Sequence, residues 1–255
     1  MNYEFIELEQ TEQITRLVLN RPPLNVLNIP MMRELCAALD EVAADERLKV
    51  LVITGAGRAF CAGVDVADHT ADRVHEMLHV FHDAIRQVMS LEVPVVAAVN
   101  GAALGGGWEL AMACDMVVAQ ESARIGQPEI QLAVFPPVAA VLMPRLIGWQ
   151  PAMELILTGR AITAAEGKEV GLVNQVLPAE GFSQGVDEFI SQLTALSAPV
   201  LRLTKRAVKE GLELGLQPAL ERAEAIYLTE LMELEDPHEG LAAFMEKRKP
   251  VWKDR

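Results

Sequence analysis

The order of apolar and polar residues predicts alternating strands and helices in the first half of the chain. Residues 50–54 and 95–99 are continuous apolar runs rich in β-branched side chains, a pattern typical of parallel strands buried on both faces. Residues 30–45 and 73–90 carry helical patterns, and Asn28 is placed to cap the first of these helices. The pattern therefore predicts a sheet that helices cover.

Shorter runs extend this sheet. Residues 5–8 and 15–19 alternate in part and are separated by polar residues, which predicts a hairpin. Residues 116–119 and 174–176 have the composition of further strands. Strand–helix units followed by a helical stretch predict an α/β fold with a helical C-terminal region.

From about Gly181 onward the pattern is almost wholly helical. Apolar residues there form one stripe at helical spacing: Leu220, Ala223, Tyr227 and Leu231. We therefore divide the chain into a core domain over residues 1–195 and a helical region over residues 196–255.

Two short motifs predict helix starts. In Asp236-Pro237-His238-Glu239, Asp236 is expected to be the N-cap, with proline at the first helical position. Thr163 and Glu166 form a second capping box.

Net charge and hydropathy argue against nucleic acid as a partner and against a membrane span. The 255 residues include 36 acidic and 22 basic side chains, a net charge of −14. Nucleic acid is therefore not an expected partner, because phosphates require clustered Lys and Arg. No apolar run reaches the roughly 18 residues of a membrane span, and the N-terminal residues do not have the pattern of a secretion signal.

The cysteines and histidines do not predict a metal site. Cys36, Cys61 and Cys114 lack metal-ligand spacing and predict reduced thiols in a cytoplasmic protein. Three further residues have helical spacing and are interpreted as part of a helix rather than as metal ligands: His75, His79 and His82.

Basic residues are concentrated in the last nine positions: Lys247, Arg248, Lys249, Lys253 and Arg255. By themselves they predict a solvated tail. An anionic ligand would nevertheless need such a locally basic stretch on an acidic protein.

The strongest chemical signal is the glycine-rich stretch 100–110, which directly follows a predicted strand. Three successive glycines entering a helix leave exposed N–H groups at its N-terminus, where developing negative charge is favoured. The motif Gly-x-Gly-x-x-Gly is absent, so dinucleotide binding is the poorer interpretation. A second glycine-rich turn, residues 55–65, allows close approach to the backbone at Ala62 and Gly63.

Two glutamates accompany these glycines. Glu109 comes three residues after Gly106, so on a helix its side chain returns to the side of that amide. Its apolar neighbours predict partial burial, which raises a carboxyl pKa and suits proton transfer; the alternative is a solvated glutamate that only complements the helix dipole. Glu129 follows Pro128, which fixes the backbone, and is a candidate second proton carrier.

Together these stretches resemble the crotonase (enoyl-CoA hydratase/isomerase) superfamily. Residues 60–65, 98–115 and 126–129 are similar to its three signatures in order and spacing. The resemblance implies a crotonase (ClpP-like) fold, in which ββα units form a spiral core. It also implies an acyl-CoA substrate, no cofactor, and a homotrimer or dimer of trimers whose contacts come largely from the C-terminal region.

The resemblance also implies roles for individual residues. The backbone N–H groups of Val64 and Gly106 match an oxyanion hole for the thioester carbonyl. Glu109 and Glu129 match the acid–base pair of true hydratases, which favours addition of water or its reverse. Which of the two glutamates activates water stays open.

For the coenzyme A portion, the resemblance implies contacts with Arg58, Ala62 and Asp65. Arg58 would approach the phosphates, and the other two residues would lie along the adenine pocket. Lys249 and Lys253 become candidate contacts to the nucleotide end, supplied by a neighbouring subunit.

Departures from the family pattern narrow the substrate. Ala67 stands where a lysine is frequent, which removes one coenzyme A contact. Pro137 stands at a helix start that is commonly rich in glycine, and its missing N–H is expected to prevent this helix N-terminus from stabilising charge or water. We expect Phe135, Trp108 and His69 to shape the acyl pocket.

Residues 62–70 and the Phe-Pro-Pro segment at 135–137 are similar to cyclohexa-1,5-diene-1-carbonyl-CoA hydratases of anaerobic aromatic degradation. Their product is 6-hydroxycyclohex-1-ene-1-carbonyl-CoA. The alternatives are a linear short-chain enoyl-CoA hydratase, an enoyl-CoA isomerase and a non-catalytic acyl-CoA-binding protein.

Overall fold

The structure, a computed structural model, describes residues 3–255. Its strands are Ile6–Gln10 (β1), Ile14–Leu19 (β2), Val50–Gly55 (β3), Ala59–Cys61 (β4), Val95–Val99 (β5), Ala102–Leu104 (β6), Met116–Gln120 (β7), Arg124–Gly126 (β8), Ile162–Thr163 (β9) and Gln175–Leu177 (β10). Its α-helices are Ile29–Ala43 (α1), Val74–Ser90 (α2), Gly106–Met112 (α3), Pro137–Ile147 (α4), Trp149–Thr158 (α5), Ala164–Glu169 (α6), Phe182–Thr194 (α7), Ala198–Leu212 (α8), Leu216–Thr229 (α9) and Glu235–Glu246 (α10). Short 3₁₀ helices cover Val66–His69, Pro128–Leu132 and Leu231–Glu233.

The strands form two sheets. Within residues 3–255, the larger sheet has the order β1-β2-β3-β5-β7-β10, in which β1 is antiparallel to β2 and the later neighbours are parallel. The smaller sheet has the order β4-β6-β8-β9, with β4, β6 and β8 parallel. The predicted hairpin and α/β class are confirmed.

The central strands are buried on both faces, as their continuous apolar runs predict. On β3, Leu51 and Ile53 belong to the main core with α1 and α2. Val50 and Val52, on the opposite face, pack with Val186 of α7. The helices on the two faces therefore remove the sheet from water.

Local capping signals give mixed results. The Asn28 side chain accepts the N–H of Met31, and that of Thr163 accepts the N–H of Glu166, so both predicted caps are confirmed. The prediction for Asp236 is wrong, because α10 begins at Glu235. Buried Asp236 instead accepts the N–H groups of residues 253 and 254, and thereby fixes the end of the chain.

The C-terminal segment is packed against the core. Lys49, which is buried, forms an ion pair with Asp254 (3.0 Å) and donates to the carbonyl of Leu196 (3.0 Å). Trp252 Nε1 donates to the carbonyl of Ala195 (2.8 Å). The C-terminal segment is therefore anchored to the core, although its basic side chains lie at the surface.

The C-terminal helices leave a large apolar surface uncovered. Leu216 and Phe244 are 80% and 84% exposed, and Leu220 and Tyr227 of the predicted stripe also face solvent. No helix within residues 3–255 combines the length and apolar character needed to cross a bilayer.

Candidate active site

The candidate site lies at one edge of the smaller sheet. β4, β6 and β8 are parallel neighbours, so their C-terminal ends meet at the same edge. Val64 follows the end of β4, Gly106 follows β6 and Glu129 follows β8. Three segments that are distant in sequence therefore converge.

Hydrogen bonds on either side hold Val64 in place. The N–H of Leu27 donates to the carbonyl of Gly63 (2.9 Å), and the N–H of Asp65 donates to the carbonyl of Leu27 (2.7 Å). Gly63 has a φ of +122°, which favours glycine. The backbone around Val64 is therefore fixed by the fold.

Gly106, the first residue of α3, lies directly against Val64. A Cβ atom on Gly106 would be 2.5 Å from Val64 Cγ2, so a side chain at this position would displace its neighbour. Within residues 3–255, neither the N–H of Val64 nor that of Gly106 donates to a protein acceptor. Both residues line the same cavity, so two residues with unpaired N–H groups border it.

Glu109 is one turn farther along α3 and is only 3% exposed, so the alternative of a solvated glutamate is excluded. Its Oε1 accepts the N–H of Ala139 (2.8 Å). Burial raises the pKa of Glu109 to about 7, and the nearby charge of Glu129 also raises it, against the lowering effect of the Ala139 and Val138 amides. Glu109 can therefore exist in either protonation state near neutral pH.

The expectation that Pro137 prevents this helix N-terminus from stabilising charge is wrong. Pro137 is the first residue of α4 and has no N–H, but the amides one and two positions later act on Glu109. This helix N-terminus thus does stabilise negative charge, on the protein's own carboxylate.

Glu129 lies in the 3₁₀ helix after β8, and burial raises its pKa. The preceding Gln127 is 0% exposed. With its amide nitrogen facing the carboxylate, Gln127 donates to both Oε atoms of Glu129, each at 3.1 Å. A donor of this kind favours the ionised carboxylate and holds it in one orientation.

The absence of a side chain at Gly105 leaves room for the carboxylate of Glu129. A Cβ atom on Gly105 would lie 2.6 Å from Glu129 Oε1, and the residue has a φ of +52°. Both the backbone conformation and the contact with Glu129 therefore require glycine.

Both glutamates face a cavity of about 570 Å³. Part of the lining comes from α2, through Val74, Met77, Leu78 and Phe81, and another part comes from residues 131–137. The arrangement places two carboxyl groups and two free N–H donors around an apolar space. Such a space can hold an uncharged organic group next to groups that transfer protons.

The structure brings some of the predicted acyl-pocket residues together. His69, Phe135 and Pro137 line the cavity. Trp108 does not: it is 0% exposed in the core, so its expected contact with an acyl group is wrong. Adjacent helix residues point about 100° apart, and Glu109 rather than Trp108 takes the direction of the cavity.

Of the residues predicted to contact coenzyme A, only some lie at this cavity. Ala62 lines the cavity, whereas Asp65 lies beside it and forms an ion pair with Arg21 (3.2 Å). Arg58 is exposed and lies outside the lining. The two C-terminal lysines are also outside it.

Of these lysines, Lys253 forms an ion pair with Glu235 (2.8 Å), and Lys249 is exposed. Neither lines the cavity of its own chain.

Clustered metal ligands and thiols of lowered pKa are both absent from residues 3–255. Within the described part of the chain, no cluster of three or more His, Cys, Asp or Glu residues is placed to hold a metal ion. His79 forms an ion pair with Asp83 (2.9 Å). Burial raises the pKa of Cys36 to about 11 and that of Cys61 to about 12, so neither thiol is activated.

Fold and site together are those of an enzyme class whose cavity carries two carboxyl groups close to residues with unpaired backbone N–H groups. Residues 9–255 match the family described as enoyl-CoA hydratase/isomerase, and the chain belongs to this family. It is a hydro-lyase of the enoyl-CoA hydratase type with the crotonase fold.

Relatives agree over nearly the full length. The crystal structure of an enoyl-CoA hydratase from Bacillus anthracis is 35% identical, with a TM-score of 0.94 over 99% of this chain and 100% of that chain. A cyclohexa-1,5-dienecarbonyl-CoA hydratase of Thauera aromatica is 36% identical over 97% of this chain and 96% of its own. A 2,3-dehydroadipyl-CoA hydratase of Escherichia coli is 34% identical over 97% of this chain and 98% of its own. Because these identities are nearly equal, they do not indicate whether this chain takes a cyclic or a linear acyl group.

Proposed function

We propose that this protein adds water to the conjugated double bond of an enoyl-CoA thioester, with cyclohexa-1,5-diene-1-carbonyl-CoA as substrate and 6-hydroxycyclohex-1-ene-1-carbonyl-CoA as product. The observation that carries the proposal is the pairing of Glu109 and Glu129 on one apolar cavity, next to the unpaired amides of Val64 and Gly106.

In the proposed reaction, the thioester carbonyl accepts the N–H groups of Val64 and Gly106. As water attacks the β-carbon of the conjugated system, electron density moves to the carbonyl oxygen, and these donors stabilise the resulting enolate character. Because they belong to the backbone and are held by the fold, they need no reorganisation during the reaction.

The proton balance requires two carboxyl groups in opposite states. One ionised glutamate takes a proton from the water that attacks C2, the β-carbon of the cyclic diene, and the other, protonated, gives its proton to C5 at the far end of the diene. The remaining double bond then joins C1 to C6, which is the 1-ene of the 6-hydroxy product once the ring is renumbered; in a linear enoyl thioester the proton goes to the α-carbon instead. The pair ends with the same number of protons with which it began. The pKa of about 7 allows Glu109 to fill either role, whereas the Gln127 amide favours the ionised form of Glu129.

The acyl cavity supports a compact cyclic substrate. Its walls are apolar, and Phe135 and Pro137 stand in the segment that closes one side. A ring presents a smaller and more rigid surface than a chain of equal carbon number, so less conformational entropy is lost on binding.

A direct comparison of substrates tests the proposal. Purified protein is incubated with cyclohexa-1,5-diene-1-carbonyl-CoA and with crotonyl-CoA, and loss of conjugated absorbance and gain of 18 Da (one water) are followed. We expect faster hydration of the cyclic diene. A preference for crotonyl-CoA would replace the cyclic substrate by a linear one, and hydration of neither would refute the hydratase assignment.

We also propose that residues 196–255 form the contacts of a homotrimer or dimer of trimers. The uncovered apolar side chains of α9 and α10 support this role, because a monomer in water would leave them solvated. In that assembly, Lys249 and Lys253 are proposed to meet the nucleotide end of coenzyme A in a neighbouring subunit, together with Arg58, Ala62 and Asp65 of the subunit that holds the acyl group. Sedimentation as a 27.9 kDa monomer at micromolar concentration would contradict the assembly.

Gln127→Leu is expected to raise the pKa of Glu129, because it removes the donor that favours the ionised carboxylate. Glu129 controls one limb of the pH profile of kcat/KM. We expect the apparent pKa of that limb to rise by about 1 unit. Gln87→Leu is the matched control, since the Gln87 amide donates to Asp40 (3.0 Å) outside the cavity. Identical pH profiles for Gln127→Leu and the unmodified protein would show that Gln127 does not act on Glu129.

A further inference from the structure

We infer that the acyl cavity accepts acyl groups with an uncharged far end and excludes those that end in a carboxylate. The inference rests on the proposed function, since it specifies the acyl-CoA that the same site takes. Its basis is the charge of the cavity wall.

The wall carries negative groups without basic ones. Among its 21 lining residues, all within the described part of the chain, two are glutamates and none is Lys or Arg. His69 is the one lining residue that can become a cation, and its Nδ1 already lies 3.0 Å from the carbonyl of Asp65.

Two arginines next to the lining, one in sequence and one through Asp65, are engaged elsewhere. Arg73, directly before lining residue Val74, forms an ion pair with buried Asp68 (2.8 Å). Arg21 forms an ion pair with Asp65 (3.2 Å) and donates to the carbonyl of Val26 (2.8 Å). A ligand carboxylate would therefore have to compete with protein acids for either cation.

A carboxylate at the far end of an acyl group would lose part of its hydration against the apolar walls of this cavity without gaining a Lys or Arg partner. It would also be repelled by the Glu109–Glu129 pair, of which at least one member must be ionised for water activation. Binding of a charged group that loses water without an opposite charge beside it is strongly disfavoured. Most of that cost is avoided by an acyl group that ends in a methyl group or closes into a ring.

Binding is measured with two saturated six-carbon thioesters, hexanoyl-CoA and adipoyl-CoA. They share the coenzyme A portion and chain length and differ in one methyl group against one carboxylate. By titration calorimetry with the full chain, we expect the Kd of adipoyl-CoA to be at least about 100-fold higher. Kd values within about threefold of each other would overturn the inference, whether or not the protein turns over any substrate.

Turnover supplies the second readout. trans-Hex-2-enoyl-CoA and 2,3-dehydroadipyl-CoA carry the same two end groups on a conjugated chain, and kcat/KM should favour the former by a similar factor. Absence of turnover for both substrates and for the cyclic diene would refute the proposed function and leave the binding comparison to decide the inference.

A basic residue placed in the wall should reverse the exclusion. Phe135 lines the cavity and is 65% exposed, so Phe135→Arg adds a cation at little cost to folding. We expect it to reduce the ratio of the two Kd values to within about 10-fold, while the uncharged control Phe135→Leu keeps the ratio high. Leu78→Arg, in the part of the lining that comes from α2, is a second variant. An unchanged ratio in both arginine variants would overturn an electrostatic origin of the exclusion.

Discussion

Replacement of either cavity glutamate by glutamine is expected to lower kcat for hydration by about 1000-fold, with little change in KM. Glu109→Gln and Glu129→Gln keep the size and the hydrogen-bonding oxygen of the side chain but remove its ability to transfer a proton. The acyl group and coenzyme A lose no contact of comparable strength, so substrate binding should persist. Initial rates and KM with crotonyl-CoA and the cyclic diene measure both quantities.

Glu12→Gln is the control for these two variants, because Glu12 is an exposed residue in the β1–β2 turn and lies outside the cavity lining. It should retain the unmodified rate. If one of the two cavity variants kept more than about a tenth of the activity, a single acid–base residue would suffice, and proton transfer without water, as in an isomerase, would be the better description.

Glu109→Gln is also expected to make the protein more stable at alkaline pH. The pKa of Glu109 is about 7 in the folded protein against 4.5 as its ordinary value. Between pH 4.5 and 7 the folded state therefore holds a proton that the unfolded state lacks, so the free energy of unfolding falls as the pH rises through this window. The loss amounts to roughly 3 kcal/mol above pH 7.

Glutamine has no such titration. Urea unfolding of both proteins at pH 5 and pH 8 isolates the effect, because contributions of other groups cancel in the comparison. The free energy of unfolding of the variant minus that of the unmodified protein should increase by roughly 2–3 kcal/mol from pH 5 to pH 8. Equal pH dependence of the two proteins would show that the pKa of Glu109 is not raised by burial, and exposed Glu12→Gln should behave like the unmodified protein.

The elements that the sequence predicts well are those whose cause is local. Residues 95–99 form a strand with the predicted bounds, because a continuous apolar run rich in valine favours a strand buried on both faces. Asn28 and Thr163 cap their helices through hydrogen bonds that span three residues. Signals of this kind need no knowledge of the tertiary structure.

The errors arise where distant residues compete with local ones. Asp236 has the sequence of an N-cap, but the backbone of residues 253 and 254 offers its carboxylate two donors. Trp108 adjoins Glu109 in sequence, although helical geometry sends it into the core.

The partners of the glutamates could not be read from the chain. Gln127 had no assigned role, because a buried amide is informative only when its neighbour is known. Similarly, Pro137 suggested a helix start without donors, and only the packing of α4 on α3 brings the amide of Ala139 to Glu109. The glycine and glutamate positions marked the site, whereas the groups that tune its acidity depended on the tertiary structure.

The contact between Gly105 and Glu129 makes the evolutionary history of the two positions epistatic. While residue 129 is a glutamate, a side chain at position 105 displaces the carboxylate, so selection for proton transfer also preserves the glycine. In a lineage that has lost Glu129, the contact disappears and only the positive φ opposes substitution at position 105. Once that substitution has occurred, restoring Glu129 alone no longer restores its position. After Gly105 has been replaced in such a lineage, recovery of hydration therefore requires reversion at both positions.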